Sequence, residues 1–90
     1  MLRKPMENPG FKAMYDKISP RHQRVIDWLV SRANNEGACM FKWPQFKHAF
    51  GITTFSGARV LMDYLKRKKM IKHMNEGGVQ YVTFQNPYKL

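Results

Sequence analysis

The stretch Phe50-Gly51-Ile52-Thr53-Thr54 lies between two segments whose apolar residues recur with helical spacing. Gly51 stands where a helix commonly ends in the left-handed conformation, and Ile52 supplies the apolar contact that follows such an end. Thr54 offers a hydroxyl that caps the start of the next helix. This stretch therefore predicts two helices joined by a tight turn.

The segments on both sides of this turn continue the helical pattern. Trp43-Pro44 predicts a short helix over residues 44–50, because proline is favoured in the first turn of a helix. The second helix is predicted over residues 54–69. Its inward apolar stripe comprises Ala58, Leu61, Met62 and Leu65. Its outward face carries Ser56, Arg59, Val60, Asp63 and Arg67. This second helix is therefore amphipathic, with a largely polar face toward solvent.

Two further helices and a strand are predicted upstream. Asn8-Pro9, after a flexible arm over residues 1–10, predicts a short helix. Its apolar stripe comprises Phe11, Met14, Tyr15 and Ile18. Ser19-Pro20 starts the next helix, which residues 34–37 stop. The inward residues of that helix are Val25, Ile26, Leu29 and Ala33. Residues 38–41 are too few for a helix and predict a brief strand.

A β-hairpin is predicted downstream. Residues 70–74 and 79–84 have the composition of strands, and the turn Asn75-Glu76-Gly77-Gly78 between them is rich in residues that tolerate positive φ. Asn86-Pro87 ends the second strand. The chain therefore alternates between helices and short strands before it closes with a hairpin.

In this order the elements resemble the winged helix-turn-helix superfamily over residues 19–84. The residues that carry the resemblance are Phe46, Phe50-Gly51-Ile52-Thr53, Ala58, Leu61-Met62, Leu65 and Met70-Ile71. Such families have a Leu-Gly-Ile-Ser-like turn before a recognition helix that leaves through a Gly-Leu-Ile-like exit, which is Lys69-Met70-Ile71 here. The sequence departs from this pattern at Lys47, where a small residue is usual, and by one extra residue between Ile52 and Ala58.

The resemblance implies an α+β winged helix-turn-helix fold, with a three-helix core, a short strand, a C-terminal hairpin wing and an extra N-terminal helix. We expect an N-terminal arm and short helix over residues 1–18 and a winged-helix DNA-binding domain over residues 19–84. A C-terminal tail is expected over residues 85–90.

Charge is the strongest compositional indication of function. The 90-residue chain has 16 Lys and Arg against 6 Asp and Glu, a formal net charge of +10. Residues 37–90 hold nine basic and two acidic side chains, a net +7, whereas residues 1–36 hold seven and four, a net +3. A positive field of this size favours a polyanionic partner, although a basic surface kept for solubility has the same composition.

The resemblance implies that the helix over residues 54–69 enters the major groove of double-stranded DNA. Arg59 would then bond a guanine edge and Val60 a thymine methyl. The further DNA-binding residues expected are Thr54, Phe55 and Ser56 on that helix, Lys66 and Arg67 near its end, Lys72, His73 and Asn75 in the wing, and Lys42 and Lys47 around the shorter helix. Lys42 and Lys47 would hold a phosphate at the N-terminus of that shorter helix.

Several residues of this helix also have an interpretation without DNA. Arg59, Asp63 and Arg67 follow one another by a turn, which is typical of a surface ion-pair ladder. Asp63 indicates that groove contact ends before it, and Glu76 argues against deep insertion of the wing tip into a minor groove. Gly57 is compatible with close approach to DNA or with packing between helices.

Other functional classes have little support in the residues. No catalytic motif or metal-ligand spacing is present, so no enzyme activity, cofactor or metal is expected. Cys39 is the single cysteine and is expected in the core, which excludes an intrachain disulfide. We expect no membrane segment and no signal peptide, and hence a cytoplasmic location. Most aromatic residues are expected in the core, whereas Trp43 and Phe55 are harder to bury and suit an exposed contact with a partner.

The sequence thus favours a small sequence-specific regulator of transcription, such as those of phages or plasmids. One recognition helix covers only a few base pairs. A homodimer through Phe11, Met14, Tyr15 and Ile18 would lengthen the DNA site that the protein recognises. Two alternatives stay open: an accessory or initiator protein of replication or recombination, and a winged-helix module that binds an acidic protein.

Overall fold

The computed structural model describes residues 5–34 and 37–85. A 3-10 helix, Pro5–Glu7, precedes the other elements. These are, in chain order, α1 (Pro9–Lys17), α2 (Pro20–Arg32), β1 (Ala38–Lys42), α3 (Trp43–Phe50), α4 (Phe55–Arg67), β2 (Ile71–Glu76) and β3 (Val79–Phe84). The described residues thus form an α+β fold of four α-helices and one antiparallel sheet of three strands, in the order β1-β3-β2. This architecture is compatible with a winged-helix arrangement.

The predicted helix starts are confirmed at three caps. The side-chain oxygen of Asn8 accepts the N–H of Phe11 at 3.1 Å, and Thr54 Oγ1 accepts the N–H of Gly57 at 3.1 Å. Ser19 caps α2 in the same manner. The caps satisfy amide groups that have no partner within the helix, so these starts depend on local chemistry alone.

The turn between α3 and α4 has the expected conformation. Gly51 has a φ of 64°, and the N–H of Ile52 donates to the carbonyl of Lys47 at 2.9 Å. A residue with a side chain would be strained at such a φ, whereas glycine is not. The turn therefore fixes the direction in which α4 leaves α3.

One hydrophobic core joins all the elements from α1 to β3. The predicted inward stripe of α4 is fully buried, and so are Val25, Ile26, Leu29 and Phe46. Cys39 is also buried, as expected. Trp28 and Phe50 are partly buried and pack against this core. Burial of this apolar surface is the main favourable term for folding.

The N-terminal segment belongs to this core. Phe11 and Ile18 are buried, and the rings of Phe11 and Phe84 meet edge to face with centroids 5.8 Å apart. Residues 5–10 were expected in a flexible arm, but they form the 3-10 helix and the start of α1, with Pro5 buried. The predicted homodimer stripe thus packs on the body of its own chain, and only Met14 and Tyr15 are partly exposed. Phe11 and Ile18 are unavailable to a second copy.

The end of α2 and the hairpin turn differ from their predicted bounds. Helix α2 ends at Arg32 rather than at the polar run, of which Asn35 and Glu36 lie outside the described residues. The hairpin turn consists of Gly77 and Gly78 alone, because the two preceding residues pair with β3. Residues 1–4 and 86–90, which hold the start of the predicted arm and most of the predicted tail, also lie outside the described residues.

Helix α4 ends at Arg67, two residues before the predicted end. Lys69 then adopts a φ of 59°, and the N–H of Met70 donates to the carbonyl of Leu65 at 3.2 Å. This is the same closing bond that forms around Gly51, but here a residue with a side chain occupies the left-handed position. That conformation costs roughly 1 kcal/mol for a residue other than glycine.

We expect Lys69→Gly to raise the free energy of unfolding by about 1 kcal/mol, because glycine adopts positive φ without steric cost. The matched control is Lys68→Gly, since Lys68 has a negative φ of −78° and glycine relieves no strain there, while it costs backbone entropy and removes the ammonium that lies over the Tyr64 ring. Urea unfolding of the two variants and the parent chain measures both effects. A loss of stability in Lys69→Gly equal to that in Lys68→Gly would contradict the strain assigned to Lys69.

Candidate nucleic-acid interface

A groove of about 190 Å³ separates α4 from the hairpin. Its lining comprises the aromatic residues Trp43 and Phe55, the charged residues Arg59, Asp63 and Lys66, and the polar residues His73, Asn75 and Gln80. Five of these eight, Phe55, Arg59, Lys66, His73 and Asn75, are among the predicted DNA-binding residues. The structure therefore brings the middle of α4 and one face of the wing together into a single surface.

Asp63 lies at the centre of the charged side of this groove. Its Oδ2 atom is 3.8 Å from Arg59 Nε, and its Oδ1 atom is 3.9 Å from Lys66 Nζ. The predicted ladder of Arg59, Asp63 and Arg67 is thus wrong in its last member, which is Lys66. All three paired groups are substantially exposed, so the ion pairs are weak and the cations can exchange Asp63 for another anion.

The aromatic side of the groove depends on Trp43. Its ring meets the ring of Phe55 at a centroid distance of 5.1 Å and packs on Phe41 and Phe46 of the core. Phe55 is 48% exposed and stands at the first position of α4. Trp43 therefore connects the core to an apolar side chain at the exposed start of the helix.

Gln80 forms the floor of the groove and was not predicted as a site residue. It is 1% exposed, and its Oε1 atom accepts a hydrogen bond from Nε2 of His73 at 2.6 Å. Its amide nitrogen donates to the carbonyl of Gly78 at 3.4 Å, which fixes the orientation of the amide. The alternation of residues along β3 could have indicated its position, because Gln80 shares a face with the buried residues Val82 and Phe84.

This environment favours the neutral form of the His73 ring. Burial lowers the pKa of His73, against the hydrogen bond to Gln80, which raises it. The nearby cations Lys66 and Arg59 also lower the pKa, while Asp63 raises it. The groove thus offers His73 as a hydrogen-bonded neutral group near neutral pH.

Three of the predicted lysines lie away from the groove. By the alternation of β1 and β2, Lys42 and Lys72 are on the outer face of the sheet, whereas His73 and Asn75 are on the inner face. Lys47 lies on α3 and does not line the groove. The structure therefore does not combine these three lysines with the wing and α4 into one site.

The remaining predicted residues of α4 flank the groove. Val60 is 62% exposed and lines an adjoining hollow with Asp63, Lys66 and Arg67. Ser56 is exposed in the first turn, while the hydroxyl of Thr54 is occupied by its cap. The outward face of α4 is thus continuous from its first turn to its last.

Gly57 has a reason within the fold for its lack of a side chain. A Cβ built there would lie 3.0 Å from Thr54 Oγ1 and 3.2 Å from a methyl carbon of Ile52. Both contacts are tighter than ordinary van der Waals separation. The close fit of the turn against α4 therefore accounts for this glycine.

Three further features of the described part of the chain bear on other kinds of site. Within it, no group of three His, Cys, Asp or Glu side chains has the geometry of a metal site. Cys39 is buried, and burial raises the pKa of its thiol. Of the helices described, none combines the length and the apolar character needed to cross a bilayer.

Comparison of the chain with protein-family models, with curated proteins and with solved structures finds no match in any of the three.

Burial also lowers the pKa of His22, which stacks on Tyr64. For both histidines the folded state favours the neutral ring, so the unfolded state binds more protons below the ordinary pKa of 6.5. We therefore expect the free energy of unfolding to decrease as the pH falls below that value and to be insensitive to these rings above it.

Urea unfolding at several pH values from about 7.5 to about 5.5 measures this slope, since carboxylates stay ionised over most of that range. The double variant His22→Gln, His73→Gln is the control, and its slope should be smaller than that of the parent chain. An equal slope in both proteins would contradict the assignment.

Proposed function

We propose that this chain is a winged-helix protein that binds double-stranded DNA sequence-specifically and acts as a small regulator of transcription in the cytoplasm. The observation that carries the proposal is the outward face of α4, on which Arg59 and Lys66 are exposed beside the hairpin. The proposed function is binding alone, without catalysis.

The electrostatics of the described residues support a polyanionic partner. Residues 37–85 hold eight basic and two acidic side chains, a net +6. One of the two acids, Asp63, is already paired with two cations. Phosphates that approach α4 and the wing would therefore meet a predominantly positive surface and displace its counterions.

The shape of this surface supports docking in the major groove. An α-helix fits that groove, and the buried stripe of α4 holds its other side in the core. In this arrangement Arg59 donates to a guanine edge, Val60 contacts a thymine methyl, and Ser56 bonds a base or a phosphate. Lys66 and the wing residue Asn75 contact the backbone, which sets the position of the helix.

Binding of a labelled random duplex of about 30 base pairs, followed by fluorescence anisotropy across salt concentration, tests the proposal. We expect a micromolar or lower Kd at low salt with a steep negative salt slope, and selection of a preferred site by the parent chain. On that site Arg59→Ala should weaken binding about 10-fold or more, the value for loss of one bidentate base contact.

Arg24→Ala is the matched control, because it removes the same charge from an exposed position on α2. It should change the affinity by less than about twofold, as expected for a residue outside the interface. Equal losses in the two variants would exclude α4 as the docking element, and absence of binding even at low salt would exclude DNA as the partner.

A substitution of Asp63 supplies a second test, in which the affinity for DNA is expected to increase. Asp63→Asn removes a negative charge from the centre of the proposed interface and releases Arg59 and Lys66 from their ion pairs. We expect binding to random duplex to tighten by roughly 3- to 10-fold, because phosphates no longer meet a carboxylate there. The same anisotropy titration measures it.

The control for this variant is Asp16→Asn on α1, which makes the same change of charge in a different element and breaks a comparable exposed pair with Lys12. A gain of equal size in both variants would show that only the net charge matters. Weaker binding by Asp63→Asn would show that Asp63 positions the cations for DNA.

A second candidate function is favoured by the exposed apolar residues of α4. Phe55 and Val60 are 48% and 62% exposed, which suits contact with a protein whose other groups are acidic. Failure of all duplex binding, followed by capture of an acidic protein that Val60→Lys abolishes, would support this function. An accessory or initiator role in replication or recombination uses the same DNA contacts, and mapping the preferred site in its genome separates it from transcriptional control.

A further inference from the structure

The outer face of the sheet, on the side opposite the groove, exposes an apolar row. Met40, Tyr81 and Met74 are directly paired across the three strands, with Tyr81 in the central strand. Met40 is 56% exposed and Met74 is 57% exposed. A contiguous apolar row on a sheet face, with Tyr81 partly buried between the two exposed methionines, is a candidate for contact with another surface.

Charged residues stand at the corners of this face. In the adjoining row, Lys42 and Glu76 lie on the two edge strands with Val79 between them. Lys72 lies at the other end of the same edge strand as Glu76, on the same face. Glu76 therefore has a lysine at each neighbouring corner: Lys42 across the sheet and Lys72 along its own strand.

This arrangement is complementary to itself. When two copies stack face to face about a two-fold axis parallel to β3, Glu76 of one copy lies over Lys42 of the other, and Met40 over Met74. When the two-fold axis instead lies between the two sheets and runs across the strands, Glu76 of one copy lies over Lys72 of the other. In both stackings the lysine that remains lies over the small residue Ala38, so no two like charges meet.

We propose that the outer sheet face is a homodimer interface, in which the apolar rows of Met40, Tyr81 and Met74 from two copies stack beside Glu76–lysine pairs. The inner face, which lines the groove with α4, stays open in this dimer. The proposal does not depend on DNA binding.

The small area of the face limits the affinity of the dimer. Three strands about 4.8 Å apart and three rows about 7 Å apart cover roughly 300 Å² per copy, below the ~800 Å² per partner of stable complexes. Repulsion between chains of net charge +10 opposes association further. We therefore expect a reversible dimer with a Kd of about 10⁻⁴ M.

Sedimentation equilibrium of the whole chain from about 10 μM to about 1 mM at about 0.15 M salt tests the proposal. The double variant Met40→Ser, Met74→Ser should be monomeric over this range, with circular dichroism confirming that it is folded. Phe55→Ser, which removes an exposed apolar side chain from α4 instead, should dimerise as the parent chain does. A monomeric parent chain, or equal dimerisation of the Met40→Ser, Met74→Ser variant, would overturn the proposal.

Charge exchange tests the pairing directly. Glu76→Lys alone should weaken dimerisation about 10-fold or more, because each copy then places lysine over lysine. Mixing it with Lys42→Glu restores both pairs in the first stacking, and mixing it with Lys72→Glu restores both pairs in the second. Rescue by one of these mixtures supports the interface and identifies its axis.

The control mixture is Glu76→Lys with Lys12→Glu, which has the same net charges but changes α1 instead of the sheet. If the control mixture dimerises as strongly as each of the two sheet mixtures, the rescue reflects only general attraction between chains of different net charge. That result would overturn the proposal. Failure of both sheet mixtures would overturn it as well.

Discussion

Burial of one side of α4 is the constraint on which the rest of the molecule depends. Ala58, Leu61, Met62 and Leu65 are held inside the core, so the helix can neither rotate nor slide without exposing apolar surface. The cap at Thr54 and the left-handed turn at Gly51 fix where it begins. The orientation of the outward face and the position of the groove beside the hairpin follow from these fixed points.

The features predicted correctly from the sequence are those that local chemistry decides. Capping hydroxyls, a proline in the first turn and a glycine at a helix end act within a few residues, as at Ser19 and Gly51. The inward stripe of α4 follows from helical periodicity in the same way. The fold class could therefore be predicted in coarse form, together with the residues of α4 that line the groove.

The features missed are those that long-range pairing decides. The hairpin contains a two-residue turn because Asn75 and Glu76 gain partners in β3, which outweighs their preference for turns. The bond between His73 and Gln80 requires that same register. The choice of Lys66 over Arg67 as the partner of Asp63 depends on side-chain conformations, for which residue spacing gives no signal. Thus Gln80 entered the candidate site only through the structure, which also places Trp43, predicted as a partner contact, in the lining of the groove.

The contact between Phe11 and Phe84 also constrains how the chain acquires its fold. These rings belong to the first helix and the last strand, and β1 likewise finds its only partner strand among the described residues in β3. During synthesis the nascent chain therefore cannot complete its core until Phe84 has left the ribosome. Contacts between residues so distant in sequence slow folding, and they favour a single cooperative step over the stepwise addition of independent parts.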